Sequence, residues 1–309
     1  MTDLPVFGVL GGGLIGMSWA SLFLAHGAKV IVVDPRSETA TELAAFLSDA
    51  WPNLRALGLT ETETWGPVDV SSDISALADA EFIQENAPDR IAVKQELVAE
   101  LEKHVGPDVI IASSTSSLKA SDIQAGAQHP ERILVAHPMN PPHMVPMVEL
   151  VAGQATAPDV VDRAEAIYRA LNRVPIRVKK EVAGHLANRL TSALYREAVH
   201  MVAEGIADVE DIDKAIAYGP GMRWALMGPH LLYHLGGGAG GYRHYLEHLG
   251  PTQEVRWGEL GQSALTPELQ EDLIAGVERE LAGQDRDTLV HRRDAALVAL
   301  AGIKRDHGL

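Results

Sequence analysis

Pro5-Val6-Phe7-Gly8-Val9-Leu10-Gly11-Gly12-Gly13-Leu14-Ile15-Gly16 is the stretch that decides the fold. Val6 to Leu10 is a short apolar run of the kind a parallel sheet buries on both faces. It passes directly into Gly11-x-Gly13-x-x-Gly16, and a helical stretch follows from about Met17 to Ala25. In such a turn the first glycine allows the tight bend, the second lets a pyrophosphate approach the backbone, and the third lets helix and strand pack closely. The helix start, carrying Leu14 and Ile15, offers unpaired N–H groups and a partial positive charge to the phosphates. His26-Gly27-Ala28 closes the helix, and Lys29 to Val33 forms a second strand ending on Asp34. This is a β-α-β unit of about 30 residues. Asp34 is placed to accept hydrogen bonds from a ribose diol and to repel a 2′-phosphate, which favours NAD over NADP. Arg36 is the counter-signal, because an arginine near this position accommodates that phosphate.

Further strands are expected at Phe82-Ile83, Val109 to Ala112 and Ile133 to Ala136, separated by helical periods such as Arg90 to Leu101. Strands alternating with helices predict an α/β, Rossmann-type doubly wound parallel sheet. Past about Val178 the pattern changes to an all-α C-terminal domain. Glu181 to Glu204 reads as one long amphipathic helix, with Leu186, Leu190, Leu194 and Val199 near helical spacing. Asp208 to Ala217, Thr266 to Glu280 and Asp285 to Ile303 read as further helices. The expected division is a dinucleotide-binding domain over 1–180 and a helical domain over 181–309. The glycine run from Gly236 to Gly241 reads as a loop or tight helix join rather than a phosphate cradle.

Composition narrows the function classes. The 309 residues carry 42 acidic against 26 basic side chains, a formal charge of −16 that repels a phosphate backbone and argues against nucleic-acid binding. No apolar run approaches the roughly 18 to 20 residues needed to span a bilayer. The N-terminal MTDLPVFGVL has an acidic residue before its apolar stretch and lacks a basic segment, so no signal peptide is expected. Cysteine is absent, which removes disulfides, thiolate zinc sites and a cysteine nucleophile together and fits a cytoplasmic location.

Four segments then fall in order: Ile111-Ala112-Ser113-Ser114-Thr115-Ser116-Ser117-Leu118, Val135-Ala136-His137-Pro138-Met139-Asn140-Pro141-Pro142, Glu149-Leu150-Val151, and Gly184-His185-Leu186-Ala187-Asn188-Arg189-Leu190. With the glycine turn, their order and spacing resemble the 3-hydroxyacyl-CoA dehydrogenase family over most of residues 5 to 230. The resemblance implies that His137 is the acid/base, that Glu149 polarises it, and that Ser116 and Asn188 contact the reacting oxygen. Chemistry supports each assignment. Oxidising an alcohol by hydride loss needs a base for the hydroxyl proton, and histidine titrates near neutral pH. A carboxylate on the other ring nitrogen fixes the tautomer and stabilises the imidazolium. Hydroxyl and amide donors stabilise the developing oxyanion. His143 is a competing histidine, expected to be at most a pocket residue. Glu85 and Lys94 match a Glu…Lys-x-x-Leu pattern of the family, Glu85 being expected near the cofactor and Lys94 on the surface. The implied cofactor contacts are Gly11, Gly13, Leu14, Ile15, Gly16, Asp34 and Glu85.

Two departures bear on the substrate. Acyl-CoA brings phosphates that need basic partners, yet Pro35 to Ala80 contains only Arg36 and Arg55 as bases. Gly219-Pro220-Gly221-Met222-Arg223-Trp224-Ala225 resembles the branch holding L-carnitine 3-dehydrogenase, lambda-crystallin and L-gulonate 3-dehydrogenase; residues 234–251 and Leu289 to Asp294 are nearest the carnitine type. The implied reaction is NAD-dependent oxidation of a small non-CoA 3-hydroxy acid. Two alternatives stand beside it: a short-chain L-3-hydroxyacyl-CoA dehydrogenase, and a non-catalytic NAD-binding protein of crystallin type. Arg223 is a candidate clamp for a free carboxylate, with Trp224 beside it. Trp224, Tyr233, Tyr242, Tyr245 and Trp257 are candidates for an aromatic cage around a quaternary ammonium. Departures around Met139, Pro142, His143 and Asn188 set the chain apart from the carnitine type. His230/His234 and His244/His248 have metal-compatible i, i+4 spacing, but no third ligand accompanies them and hydride transfer needs no metal. The helical domain is expected to form a homodimer.

Overall fold

The computed structural model describes residues 4–309. The first half builds β1 (Phe7–Leu10), α1 (Leu14–Ala25), β2 (Val30–Val33), α2 (Thr39–Ala56), β3 (Asp69–Ser71), β4 (Phe82–Glu85), α3 (Ile91–Leu101), β5 (Ile110–Ser113), α4 (Ala120–Ile123), β6 (Ile133–Pro138), β7 (Met147–Ala152), α5 (Pro158–Ala170) and β8 (Val174–Val178). One eight-stranded sheet results, in the order β3-β2-β1-β4-β5-β6-β7-β8. β1, β2, β4, β5 and β6 are buried along their whole length, as the continuous apolar runs require. One face packs Val9, Trp19, Leu47 and Phe82 with their neighbours, and the other packs Leu10, Ile83, Leu101 and Ile111. The order reverses between β1 and β4. That switch point is where a doubly wound sheet opens a crevice for a ligand.

The sheet is parallel from β3 to β6 and then breaks the rule. β7 runs antiparallel to β6, and β8 returns parallel to β7. None of β3, β7 or β8 was legible as a strand. β3 has three residues, β7 has Glu149 in its middle, and β8 contains Pro175 and Arg177, tolerable because it is an edge strand.

The remaining helices are α6 (Ala187–Ala203), α7 (Val209–Ala217), α8 (Pro220–Trp224), α9 (Pro229–Gly236), α10 (Gly241–Glu259), α11 (Pro267–Leu281) and α12 (Arg286–Asp306). The long helix expected from Glu181 begins six residues later. Gly184 and His185 take positive φ, 74° and 48°, and a helix cannot pass through that conformation. The glycine run ends α9, makes a single 3₁₀ turn and starts α10, with Gly238 and Gly241 at positive φ. Two compact units emerge: one reaching Arg189 and including Asp294–Val298, the other made of Leu190–Arg293 and Ala299–Leu309. Among the described residues no helix is long and apolar enough to cross a membrane.

Candidate active site

The glycine turn is shaped by what a side chain would strike. Gly11 has φ +96°, and a Cβ there would lie 2.9 Å from the carbonyl carbon of Asn86, at the exit of β4. A Cβ on Gly16 would lie 1.9 Å from the Gly11 carbonyl oxygen, so helix and turn touch backbone to backbone. Above Gly13 the space is open. The start of α1 has no side-chain cap and no acidic residue in its first turn. An uncapped, acid-free helix start beside an open glycine fits a dinucleotide pyrophosphate.

Asp34 closes β2, nearly buried at 7% exposure. Its Oδ2 accepts the Gly12 N–H at 2.7 Å, and its Oδ1 accepts from the backbone and Nε of Arg36 and from Thr39 Oγ1. Burial pushes its carboxyl up, but these donors and the Arg36 charge hold it below its ordinary value. Arg36 also donates to the Gly12 carbonyl and to Glu42. The guanidinium therefore lies across Asp34, tied to two carboxylates.

Lys94 departs from expectation, and Glu85 is the reason. Lys94 was expected at the surface, yet it is 1% exposed and its Nζ donates to both oxygens of Glu85 at 2.8 Å. A carboxylate this deep demands a cation, and α3 supplies it. Glu85 also accepts from Ala87 N and Ser113 Oγ. Its carboxylate thus points into the protein and braces the turn Asn86–Ala87, which lines the pocket described below.

The register of β6 on β7 sets His137 directly opposite Glu149. Facing residues of an antiparallel pair project to the same side with Cβ atoms about 5 Å apart. His137 Nδ1 and Glu149 Oε2 are 2.7 Å apart. The other carboxylate oxygen accepts the N–H groups of Leu186 at 2.7 Å and Ala187 at 2.9 Å. Glu149 is 0% exposed. Burial pushes its carboxyl up, yet the His137 hydrogen bond, the two N–H donors and the His137 charge together hold it below the usual carboxylate range. An ionised acceptor on Nδ1 leaves Nε2 to exchange a proton with a ligand.

His137 opens on a pocket of about 370 Å³ lined by Ile15, Asn86, Ala87, Asp89, Ser114, Thr115, Ser116, Pro138, Met139, Asn140 and Asn188. The structure thus gathers Ile15, Ser116, His137 and Asn188 around one cavity at the sheet's switch point, with Glu149 behind the histidine. Asn188 Nδ2 approaches the Ser116 carbonyl at 3.4 Å. Asp89, which sequence reasoning missed, accepts from the N–H and Oγ of Ser116 and from Ser117 Oγ. No motif announced it. Ser114 was also passed over; it donates to Asn86 and accepts from Trp19 and Gln84, fixing the pocket wall to the core.

Residues 6–182 match the 3-hydroxyacyl-CoA dehydrogenase NAD binding domain, and residues 184–268 match the 3-hydroxyacyl-CoA dehydrogenase C-terminal domain. The chain belongs to the 3-hydroxyacyl-CoA dehydrogenase family. It is an NAD-dependent dehydrogenase by that membership. Two relatives named L-carnitine dehydrogenase align along nearly all of it. The Burkholderia mallei protein is 41% identical, covering 100% of this chain and 98% of its own. The Streptomyces coelicolor protein is 42% identical, covering 94% and 91%. Among solved structures, the NAD+-dependent dismutase 5-formyl-3-hydroxy-2-methylpyridine 4-carboxylic acid 5-dehydrogenase superposes with a TM-score of 0.85 at 28% identity, over 98% of this chain and 99% of its own. 3-Hydroxybutyryl-CoA dehydrogenase from Escherichia coli K12 gives 0.64 at 29% identity, over 75% and 49%.

Arg223 and Trp224 belong to α8 in the helical unit, and both are exposed. Among the cage candidates, Tyr233 and Tyr245 stack nearly parallel with ring centroids 4.4 Å apart, and Tyr242 lies parallel to Tyr245 at 6.1 Å. His143 is buried, with its ring 2.7 Å from Ser18 Oγ and its N–H donating to the same oxygen; it pins the segment after Asn140 to α1. His230 pairs with the Tyr242 hydroxyl, and His234 accepts the Tyr242 N–H. Among the described residues no group of three or more His, Cys, Asp or Glu is arranged to hold a metal.

Proposed function

We propose that the protein oxidises the 3-hydroxyl of a small non-CoA hydroxy acid, L-carnitine or else L-gulonate, to the 3-keto acid. The observation that carries this reading is the buried His137–Glu149 pair facing a small cavity beside the dinucleotide turn. NAD held by the Gly11–Gly16 turn and Asp34 would supply the hydride acceptor for C3. His137 donates its Nδ1 proton to Glu149 in a hydrogen bond, so Nε2 is the lone pair that takes the hydroxyl proton. Glu149 stabilises the imidazolium that forms. Asn188, lining the same cavity, supplies an amide donor for the developing negative oxygen, and Ser116 joins it by turning its hydroxyl from Asp89 to the substrate.

A free acid is favoured over a CoA thioester on two grounds. The stretch 35–80 offers only Arg36 and Arg55, and Arg36 is already tied to Asp34 and Glu42. The relatives aligned end to end carry the carnitine name, and the full-length structural likeness is to an enzyme named for a pyridine carboxylic acid. Arg223 and Trp224 are assigned to the substrate on the strength of the branch motif, Arg223 as the carboxylate clamp. Residues 1–180 act as the cofactor domain and 181–309 as the substrate and dimerisation domain of a cytoplasmic homodimer. The apolar face of α6 supports the dimer: Leu190 and Tyr195 are 68% and 58% exposed, and Val199 alone is buried on that helix.

The test is NADH formation at mildly alkaline pH with L-carnitine, L-gulonate, L-3-hydroxybutyrate and L-3-hydroxybutyryl-CoA. A free acid should exceed the CoA ester in kcat/KM by at least about 100-fold. Preference for the ester would overturn the reading, and a monomeric mass by light scattering would remove the dimer.

A further inference from the structure

His185 was quoted above only as part of a motif, yet its geometry is unusual. It is 1% exposed, takes φ +48°, and its ring centroid lies 5.3 Å from that of His137. A non-glycine residue at positive φ is strained, and strain of this kind persists where the surroundings hold it. Here Gly184 and His185 together turn the chain so that the next two N–H groups, of Leu186 and Ala187, converge on Glu149 Oε1. The His185 ring reaches the other way. Its Nε2 is 3.2 Å from the carbonyl oxygen of Thr115, the residue before Ser116.

A carbonyl only accepts, so Nε2 carries the proton. Nδ1 is buried without a hydrogen-bond partner and therefore holds a lone pair. Protonating it would bury an N–H with no acceptor. The groups facing the ring are His137 on β6, Glu149 on β7 and Asp89 after β4. Burial first, and then the charge of His137, hold the imidazole below its ordinary value, against the Thr115 hydrogen bond and the two carboxylates.

We propose that His185 is a positioning residue, an Nε2–H clamp joining the turn that grips Glu149 to the turn that presents Ser116. The proposal takes His137 as the base, from the function proposed above. One side chain thereby keeps four elements in register: the exit of β5, the dyad strands β6 and β7, and the entry to α6.

Two variants and one spectrum test it. His185→Phe keeps the ring and loses the donor; kcat should fall by about 10-fold or more, as sub-ångström misplacement predicts, while KM for NAD changes by less than about twofold. His185→Gln can donate to the Thr115 carbonyl and should recover most of the lost kcat. Neither variant should change the shape of the pH profile, because a neutral His185 contributes no ionisation. In ¹⁵N-histidine NMR of the wild-type protein, with His185→Gln as the assignment control, the ring should be the neutral Nε2–H tautomer at and above the ordinary histidine value of about 6.5. Wild-type activity in His185→Phe, equal impairment in both variants, a missing ionisation, or an Nδ1–H or charged ring would each overturn the proposal. If the wild-type protein oxidises none of the acids, the substrate reading fails and the tautomer still decides this one. The spectrum and His185→Gln also decide it if His185→Phe does not fold.

Discussion

Glu149→Gln changes one buried atom and reverses the chemistry of its neighbour. Glu149 accepts two backbone N–H groups at Oε1 and faces His137 Nδ1 at Oε2. A glutamine must keep its oxygen with the two N–H groups, since turning its amide there would bury donors against donors at about 1–3 kcal/mol apiece. Its NH₂ then faces His137, which must present a lone pair at Nδ1 and carry its proton on Nε2. That tautomer cannot take a hydroxyl proton. The equivalent tautomer reversal in the serine hydrolase triad lowers kcat by about 10⁴. For this protein a fall of about 10³ to 10⁴ is expected, or roughly 4 to 5.5 kcal/mol of transition-state stabilisation. Because Glu149 is remote from the glycine turn in sequence and contact, the NADH dissociation constant should stay within about twofold. The assay is initial NADH formation with L-carnitine, paired with NADH fluorescence titration. Activity within tenfold of wild type at intact cofactor affinity would refute the tautomer argument.

Three further outcomes follow from the geometry. Gly11→Ala places a methyl 2.9 Å from the Asn86 carbonyl carbon at φ +96°, so NADH affinity should drop by more than about tenfold in a fluorescence titration; unchanged affinity would contradict the cradle. Lys94→Met strands a carboxylate that is 2% exposed, and urea unfolding should show a loss of about 3–5 kcal/mol; a loss below about 1 kcal/mol would mean the pair is dispensable. The Glu149 carboxyl is depressed in the folded protein, so its stabilisation is complete above the unfolded value of about 4.3 and is lost as pH falls through the lower folded value. Denaturation across that acid range should show wild type losing stability faster than Glu149→Gln, and parallel curves would contradict the assignment.

The parts of the molecule legible in the sequence are those whose residues carry their own instructions. The run Val6 to Leu10 and the three spaced glycines specify strand, turn and helix locally, so the cofactor half reads directly. β7 was opaque because a charged residue sits at its centre, and Glu149 is tolerated there only through partners 12 and 37 or 38 residues away. Its motif therefore named the residue without revealing the antiparallel pairing that aims it. The helix expected from Glu181 failed for a related reason: apolar spacing runs unbroken through Gly184 and His185, while the backbone turns left-handed to serve Glu149. Lys94 looked like an ordinary helix-surface lysine because its partner, Glu85, lies on a neighbouring strand. Tyr233 and Tyr245 supplied the composition of a cage, and only three-dimensional packing reveals the stack.

The central claim is that His137, held by Glu149, removes the hydroxyl proton of a free 3-hydroxy acid. Its most direct test is kcat for L-carnitine oxidation in wild type and His137→Ala, with NADH binding measured on both. Wild type should show clear turnover, and the variant a loss of about 10² to 10⁴ at unchanged NADH affinity. A variant that turns over L-carnitine at the wild-type rate would contradict the claim.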